Sequence, residues 1–140
     1  MYLAELNSGA RLNGEPLKVN SSISEIRLID NYPEPRGIAQ LITRSSRDAK
    51  YIESGSIGLK ICKVADGTAN LFVKDVIVRD WDLAPGHLIL SEAGGIFRDL
   101  HGNEIKYSGE VEQKNGIIAS STEALVYKVI KVSESERKHV

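Results

Sequence analysis

Residues 81–95 read WDLAPGHLILSEAGG, a run with the features of a complete helix followed by an abrupt end. Asp82 precedes the apolar part, where a carboxylate accepts free amide hydrogens and meets the positive end of the helix dipole. Pro85 falls in the predicted first turn, whose amides have no partner inside the helix. Gly94 and Gly95 terminate the helix, because glycine readily adopts the left-handed conformation found there.

Helices and strands alternate on both sides of this helix. A second helix is predicted over residues 56–66, with Ser56 as its cap, Lys60 and Lys63 on its polar face and Gly67 at its end. A third covers residues 36–50, and a fourth begins near Ser121 and Thr122. Strands are predicted at residues 2–6, 10–12, 16–19, 26–29, 69–73, 96–100 and 116–120. This alternation predicts a layered α/β domain over residues 1–132, followed by a polar tail over 133–140.

Composition narrows the possible functions. The chain has 140 residues and is 41% hydrophobic, which is enough to line one core. Its 18 Lys and Arg nearly balance its 19 Asp and Glu, so nucleic acid binding driven by bulk positive charge is disfavoured.

The cellular location is also an expectation from composition. The single cysteine, Cys62, cannot form an internal disulfide and lies in an apolar segment, where a buried inert thiol is expected. No run approaches the ~20 apolar residues of a membrane span, and the N-terminus lacks a basic lead with a long apolar run. We therefore expect a cytoplasmic protein that does not bind membranes.

Two segments resemble signatures of the inositol monophosphatase family. Residues 81–95 match W-D-x-A-x-G-x-x-I-x-x-E-A-G-G at almost every fixed position, and residues 54–71 are similar to G-S-x-x-L-x-x-C-x-V-A-x-G-x-A-D. Looser matches lie at residues 9–14 and 99–102, so the resemblance covers roughly residues 3–125. It implies a mixed central sheet of about five strands flanked by helices, like the C-terminal domain of these enzymes. The wider superfamily includes fructose-1,6-bisphosphatase and 3′(2′),5′-bisphosphate nucleotidase.

The resemblance implies a catalytic magnesium (Mg²⁺) ligand at Asp82. A carboxylate at a helix start stays ionised at neutral pH, and an ionised carboxylate suits a hard cation. The alternative is that Asp82 only caps its helix, which is the commoner role for such an aspartate.

Substrate contacts are implied at three further residues. Gly55 and Ser56 match the turn that borders the family's substrate pocket, although Ser56 as a cap is an equally good explanation. Asp75 lies seven residues before Asp82, where inositol-specific members bind substrate hydroxyls; the alternative is a solvated loop acid. The two helix starts, at Ser56 and Asp82, could together flank a phosphorylated small molecule.

Most metal ligands of the family are missing from this sequence. Asp66-Gly67-Thr68 looks like the end of the signature D-P-x-D-G-T, but Lys63 and Val64 stand where its first aspartate and proline belong. Asp66 and Gly67 therefore fit better as a helix end. One carboxylate cannot hold a cluster of magnesium ions, so no complete catalytic set is expected in this chain.

These observations lead to two hypotheses. The first is the C-terminal half of a Mg²⁺-dependent phosphatase, which arises from a split gene, a mis-called start or a deliberate fragment and is inactive without its N-terminal half. The second is a stand-alone module that has lost catalysis and serves in binding or assembly. Either should leave apolar surface unprotected, which predicts a homodimer or higher oligomer.

The sequence also leads to expected roles for two aromatic side chains, those of His87 and Trp81. His87 has no second histidine or cysteine at ligand spacing, so partly buried packing is expected rather than metal binding. Trp81 is expected to anchor the core, with its indole hydrogen satisfied nearby.

Overall fold

The N-terminal part of the chain forms a small antiparallel sheet. We analysed a computed structural model, which describes residues 1–21, 25–107 and 112–138. The first three strands pair in the order β1-β2-β3 and are Tyr2–Ala4, Ala10–Leu12 and Glu15–Leu17. The predicted opening hairpin is confirmed, and its turn places Asn7 and Gly9 at positive φ, which asparagine and glycine tolerate best.

The central sheet has five strands and is mixed. The remaining strands are β4 (Arg27–Asp30), β5 (Lys50–Glu53), β6 (Leu71–Lys74), β7 (Val78–Arg79), β8 (Ile96–Arg98), β9 (Glu112–Gln113) and β10 (Ile117–Ser120). The order across the sheet is β5-β4-β6-β10-β8; β4 is parallel to both neighbours, and β10 is antiparallel to both of its own. The prediction of a mixed sheet of about five strands is confirmed. Strands β7 and β9 form a separate pair.

Helices cover both faces of the central sheet. They are α1 (Gly37–Ser45), α2 (Ile57–Ala65), α3 (Asp80–Glu92) and α4 (Glu123–Lys138). Side chains alternate along the strands, so that one face packs against α2 and α3 and the other against α1 and α4. Phe72 and Phe97 belong to the first core, whereas Leu71 and Ile118 belong to the second. The predicted α/β layers are therefore present.

Two helices end at other positions than the sequence predicts. Helix α1 ends at Ser45 rather than near residue 50, because the chain becomes extended at Ser46 and enters the unpredicted strand β5. Helix α4 continues to Lys138, so residues 133–138 are helical where a polar tail was expected. Ser133 is buried and lies one turn beyond Val129, which extends the packed stripe of the helix.

Helix α3 begins two residues earlier than predicted. Its cap is Arg79 and its first residue is Asp80, which makes Asp82 the third residue of the helix. Pro85 is consequently the sixth residue and lies beyond the first turn, so our explanation for its tolerance was wrong. The predicted end is correct, because Gly94 has a φ of 90° directly after the last turn.

The expected role of Trp81 is also wrong. Its side chain is 63% exposed, and the Arg79 guanidinium lies 5.6 Å from its ring centroid. Because α3 starts earlier, Trp81 falls in the first turn on the outer surface, while Leu83 takes the buried position.

Two smaller predictions are confirmed. Cys62 is a buried free thiol whose pKa is raised by burial and by the nearby Asp66 carboxylate. Asp66 ends α2, and its carboxylate accepts a hydrogen bond of 2.7 Å from the Tyr2 hydroxyl.

Within the described ranges, no helix combines the length and apolar character needed to cross a membrane.

Candidate functional site

Three parallel strands bring several polar residues to one edge of the central sheet. Strands β4, β5 and β6 run in the same direction, so their carboxyl ends, at Asp30, Glu53 and Lys74, lie at the same edge. Asp75 directly follows β6, and the Ser56 cap of α2 comes three residues after β5. Ligands of open α/β sheets bind at the carboxyl ends of parallel strands, which makes this edge the candidate site.

Helices α2 and α3 lie side by side. A Cβ atom added to Gly86 of α3 would lie 3.1 Å from the Cβ of Ile61 in α2. The hydrogen side chain of Gly86 therefore allows the two helices to approach closely at their middle turns.

The same two helices run parallel, because the C-terminal ends of both contact residues 18–20. The Ala93 carbonyl at the end of α3 accepts a hydrogen bond of 3.1 Å from the Val19 amide. A Cβ on Gly67, just after α2, would lie 3.6 Å from the Asn20 nitrogen. Because the ends coincide and the middles touch, the two helix starts must also lie together.

Ser56, the cap of α2, and Asp82, in the first turn of α3, are nearly level along the helix pair. Ser56 precedes Ile61 by five residues and Asp82 precedes Gly86 by four, which at 1.5 Å per residue is about 7.5 Å and about 6 Å along the axes. The structure thus brings Ser56 and Asp82 to the same end of one helix pair, at the carboxyl edge of the sheet.

Ser56 acts as a cap, as the sequence predicts. Its side-chain oxygen accepts a hydrogen bond of 3.2 Å from the Leu59 amide. Both Ser56 and Gly55 are exposed, and a Cβ on Gly55 would meet no atom within 4 Å. The surface in front of the α2 start is therefore open to a ligand.

Asp82 and its neighbour Asp80 both lie in the first turn of α3, but their carboxylates differ in their contacts. The Asp80 carboxylate accepts a hydrogen bond of 2.8 Å from the Gln113 side chain. Asp82 is exposed and makes no hydrogen bond or ion pair with any other residue in the described part of the chain. Its carboxylate is close to the positive helix start and is free to bind a cation.

Asp75 lies at the rim of a cleft of about 160 Å³ beside the end of β6. The cleft is bordered by the first turn of α1 and by the residues that follow β4 and β6. Asp75 is exposed there, whereas Gly55, Ser56 and Asp82 do not line this cleft.

A charged cluster beside this cleft was missed by sequence reasoning. Lys60, expected on the polar face of α2, is only 2% exposed, and its Nζ lies 3.5 Å from Oδ1 of Asp30. Lys74 approaches the same Oδ1 at 2.9 Å. Burial lowers the pKa of Lys60, and the Lys74 charge lowers it further, while the Asp30 carboxylate acts in the opposite direction. In the sequence, the signal for this cluster was Asp30, an acidic residue at the end of an apolar strand.

Glu92 of the 81–95 segment has a structural role. Its Oε1 accepts a hydrogen bond of 2.8 Å from the Gly9 amide, which ties the hairpin turn to the last turn of α3. This bond, with others from the amides of Asn7 and Ser8, lowers the pKa of Glu92. The glutamate thus positions the small sheet rather than the site.

His87 packs as expected and lies away from the candidate site. It is half-buried, its ring lies 4.7 Å from that of Phe97, and its Nδ1 is 2.9 Å from the Tyr107 hydroxyl. Burial lowers its pKa, and the Arg98 charge adds to this effect. Burial has the opposite effect on Tyr107, whose charged form is the deprotonated one, and raises its pKa to about 12.

The possible metal ligands are scattered over the described residues. Across residues 1–21, 25–107 and 112–138, no group of three or more His, Cys, Asp or Glu is arranged to hold a metal ion. Asp82 is therefore a single ligand candidate, and the described residues do not by themselves fit a magnesium cluster.

Comparisons with known proteins point to one family. The model of the inositol monophosphatase family matches residues 1–138. A fructose-1,6-bisphosphatase/inositol-1-monophosphatase of Methanocaldococcus jannaschii is 31% identical over 126 residues, which are 89% of this chain and 49% of that protein. A putative Nus factor SuhB of Neisseria meningitidis is 30% identical over 112 residues, covering 74% of this chain and 42% of its own length.

A solved structure agrees with these matches. It is a Pyrococcus horikoshii protein with similarities to inositol-1 monophosphatase, superimposed with a TM-score of 0.76 at 25% identity. The superposition covers 94% of this chain and 51% of that one. The chain thus spans about half the length of each of these three proteins.

Proposed function

Because the chain belongs to the inositol monophosphatase family, we propose that it is the C-terminal half of a Mg²⁺-dependent phosphomonoesterase. Its substrates would be phosphorylated small molecules, namely sugar, inositol or nucleotide phosphates. The observation that carries this proposal is that the Ser56 cap of α2 and Asp82 in the first turn of α3 lie at nearly the same level, at the carboxyl edge of the sheet. Two helix starts that point to one side offer free amides and positive dipole ends to an anionic group.

Asp82 is the proposed metal ligand. Its carboxylate is exposed and has no other partner among the described residues. Bound magnesium would activate water and neutralise charge on the phosphate. Since one carboxylate cannot hold such ions, an N-terminal half would supply the remaining ligands.

Gly55, Ser56 and Asp75 are the proposed substrate contacts. The open surface at Gly55 lets a ligand approach the first amides of α2, which the Ser56 side chain holds in helical geometry. Asp75 is exposed at the end of β6, where a carboxylate can accept hydrogen bonds from sugar hydroxyls.

The test compares the chain alone with a reconstituted enzyme. We expect the purified chain to hydrolyse inositol monophosphate with magnesium no faster than background. Addition of the N-terminal half of the M. jannaschii relative should produce activity, which Asp82→Asn should remove and Asp80→Asn should preserve. Robust turnover by the chain alone, or equal activity of the two variants, would refute the proposal.

The coding sequence gives a second test that needs no protein. A reading frame upstream of the first codon that encodes D-P-x-D-G-T would supply the missing ligands and support the half-enzyme. Its absence from the flanking DNA would favour the alternative below.

The second candidate function is a non-catalytic binding or assembly module. It is favoured by the similarity to a protein named as a putative Nus factor and by the lack of a metal-binding group among the described residues. The two functions are distinguished by reconstitution, because a module would stay inactive with any N-terminal half.

We also propose that the chain forms homo-oligomers. Val76, Ile77 and Trp81 are 48%, 59% and 63% exposed, although they lie close together in sequence next to the candidate site. Apolar surface of this kind drives association. Sedimentation at micromolar concentration should detect a dimer or larger species, and a strictly monomeric profile would contradict the proposal.

The proposed location is the cytoplasm. The single cysteine, Cys62, is a buried free thiol, which suits a reducing compartment. Fractionation of cells that produce the native protein would test this assignment, and recovery with membranes would contradict it.

A further inference from the structure

A groove of about 420 Å³ runs between α1 and α4 at the surface of the protein. These two helices cover one face of the central sheet, whereas α2 and α3 cover the other. The groove is bordered by Leu41 and Ser45 of α1 and by Lys131, Val132, Ser135 and Glu136 of α4. It is therefore separate from the helix starts at the candidate site.

The two helices that form the groove are firmly held together. Ile42 of α1 and Val129 of α4 are fully buried in the same core beneath the groove. At the end of α1, the Ser46 hydroxyl accepts a hydrogen bond of 2.5 Å from Nζ of Lys128 in α4. A surface that is already formed in this way loses little conformational entropy when it binds a partner.

The two charges in the groove are not paired within the chain. Nζ of Lys131 lies 5.1 Å from the centroid of the Tyr127 ring, but neither Lys131 nor Glu136 forms an ion pair in the described part of the chain. The two residues are five positions apart in α4, so they lie on different sides of the helix and about 7.5 Å apart along its axis. The groove thus presents one cation and one anion to an outside partner.

The α4 side of the groove is complementary to a second copy of itself. Along the helix it carries a cation, an apolar residue, a small residue and an anion. When two copies of α4 lie antiparallel about a twofold axis between Val132 and Ser135, Lys131 faces Glu136 of the partner subunit. Val132 then faces Ser135 of the partner subunit. A parallel pair in the same register would instead bring like charges together.

We propose that this groove is a homodimer interface in which the α4 helices of two copies pack antiparallel. Ser45 and Ser135 are small enough to allow a close approach, and the half-buried Leu41 and Val132 would lose more of their exposed apolar surface. The two symmetry-related pairs of Lys131 with Glu136 would set the orientation of the helices.

The strength of this contact follows from its size. The groove is short, which places the interface at the low end of the range for specific complexes, and we expect a dissociation constant in the micromolar range. The inference does not depend on the proposed phosphatase activity. It also concerns a different surface from Val76, Ile77 and Trp81, so each of the two surfaces can be tested by its own substitution.

The first test reverses the two charges of the groove and measures self-association of the whole chain by sedimentation velocity. Lys131→Glu should weaken dimerisation by about tenfold or more, because two repulsive contacts replace two attractive ones, and Glu136→Lys should do the same. The double variant K131E/E136K should dimerise like the unmodified chain. The control Lys114→Glu makes the same charge change before β10 and should alter the dissociation constant less than about twofold.

Mixing the two single variants gives a sharper test. A Lys131→Glu copy has two acidic residues in its groove and a Glu136→Lys copy has two basic ones, so both contacts are attractive only in a mixed dimer. We expect a mixed dimer from two samples that are monomeric on their own. Native mass spectrometry detects it directly, and circular dichroism checks that both variants remain folded.

Three results would overturn the inference. The first is a monomeric unmodified chain at all concentrations up to about a millimolar, the weak limit for such contacts. The second is a failure of the two single variants to form a mixed dimer. The third is association that both single variants keep and that Trp81→Ser abolishes, which would place the interface at the exposed apolar residues beside the candidate site.

Discussion

The Nζ atom of Lys74 lies 2.9 Å from Oδ1 of Asp30, where the parallel strands β6 and β4 end. The same oxygen accepts a hydrogen bond of 2.8 Å from the Asn31 amide and lies 3.5 Å from Nζ of Lys60. Asp30 therefore neutralises two lysines in a place where little water reaches them. Such a carboxylate is hard to remove, because its loss leaves like charges together without compensation.

We predict that Asp30→Asn destabilises the chain by about 3 kcal/mol, the usual effect of removing one partner of a buried ion pair. Lys60→Met should change the free energy of unfolding by less than about 1 kcal/mol, because Asp30 keeps Lys74 and an apolar side chain of similar length fills the space. Urea denaturation at pH 7 measures both values. Equal destabilisation by the two variants would show that Asp30 does not compensate both lysines.

This cluster also explains what sequence reasoning could not predict. The cap at Ser56 and the end at Gly94 depend on neighbouring residues, so local patterns were sufficient for both. The burial of Lys60 depends on Asp30, which lies 30 residues away, and a helical pattern cannot detect such a partner. The same limit applies to the short strands β7 and β9, whose two residues each carry no periodic signal.

For the candidate site, the sequence predicted the residues and the pairing of Ser56 with Asp82, but not the contacts that hold the two helices together. Gly55, Ser56, Asp75 and Asp82 were all named from the resemblance to family signatures. Their positions depend on long-range contacts, above all on the close approach of Gly86 to Ile61. The parallel arrangement of α2 and α3 follows from those contacts between the helices. Local helix propensity does not specify such contacts.

We predict opposite effects for two glycine substitutions in these helices. Gly86→Ala should destabilise the chain by about 1–3 kcal/mol, because the new Cβ would lie 3.1 Å from the Cβ and Cγ2 atoms of Ile61. Gly58→Ala is the control, since a Cβ there meets nothing within 4 Å, and it should stabilise α2 by up to about 1 kcal/mol. Thermal denaturation measures both. A stabilising Gly86→Ala would contradict the close packing of α2 and α3.

The pKa of His87 leads to a prediction about acid stability. Burial and Arg98 lower this pKa below 6.5, although Glu104 acts in the opposite direction. Between the lowered value and 6.5, the unfolded chain binds more protons than the folded chain, so the free energy of unfolding should fall as the pH falls through this window. His87→Gln should reduce that dependence, as measured by denaturation at several pH values.

A direct measurement of the His87 pKa checks the direction of this effect. A pKa of His87 above 6.5 in an NMR titration would contradict the argument, because the sign of the effect on stability would then reverse.

The last prediction separates the two roles that the sequence left open for Asp82. If Asp82 only stabilised its helix, Asp82→Asn would act through the dipole and lower the free energy of unfolding of the isolated chain by about 0.3–1 kcal/mol, whatever the metal concentration. We expect that small effect together with a larger one: in the enzyme reconstituted with an N-terminal half, Asp82→Asn should lower magnesium-dependent activity by at least about a hundredfold. Chelation of magnesium should abolish the activity of the unmodified enzyme and leave the residual activity of the variant almost unchanged. A variant that loses stability but keeps its magnesium response would assign Asp82 to the helix alone, since a ligand cannot be removed without altering the response to its metal.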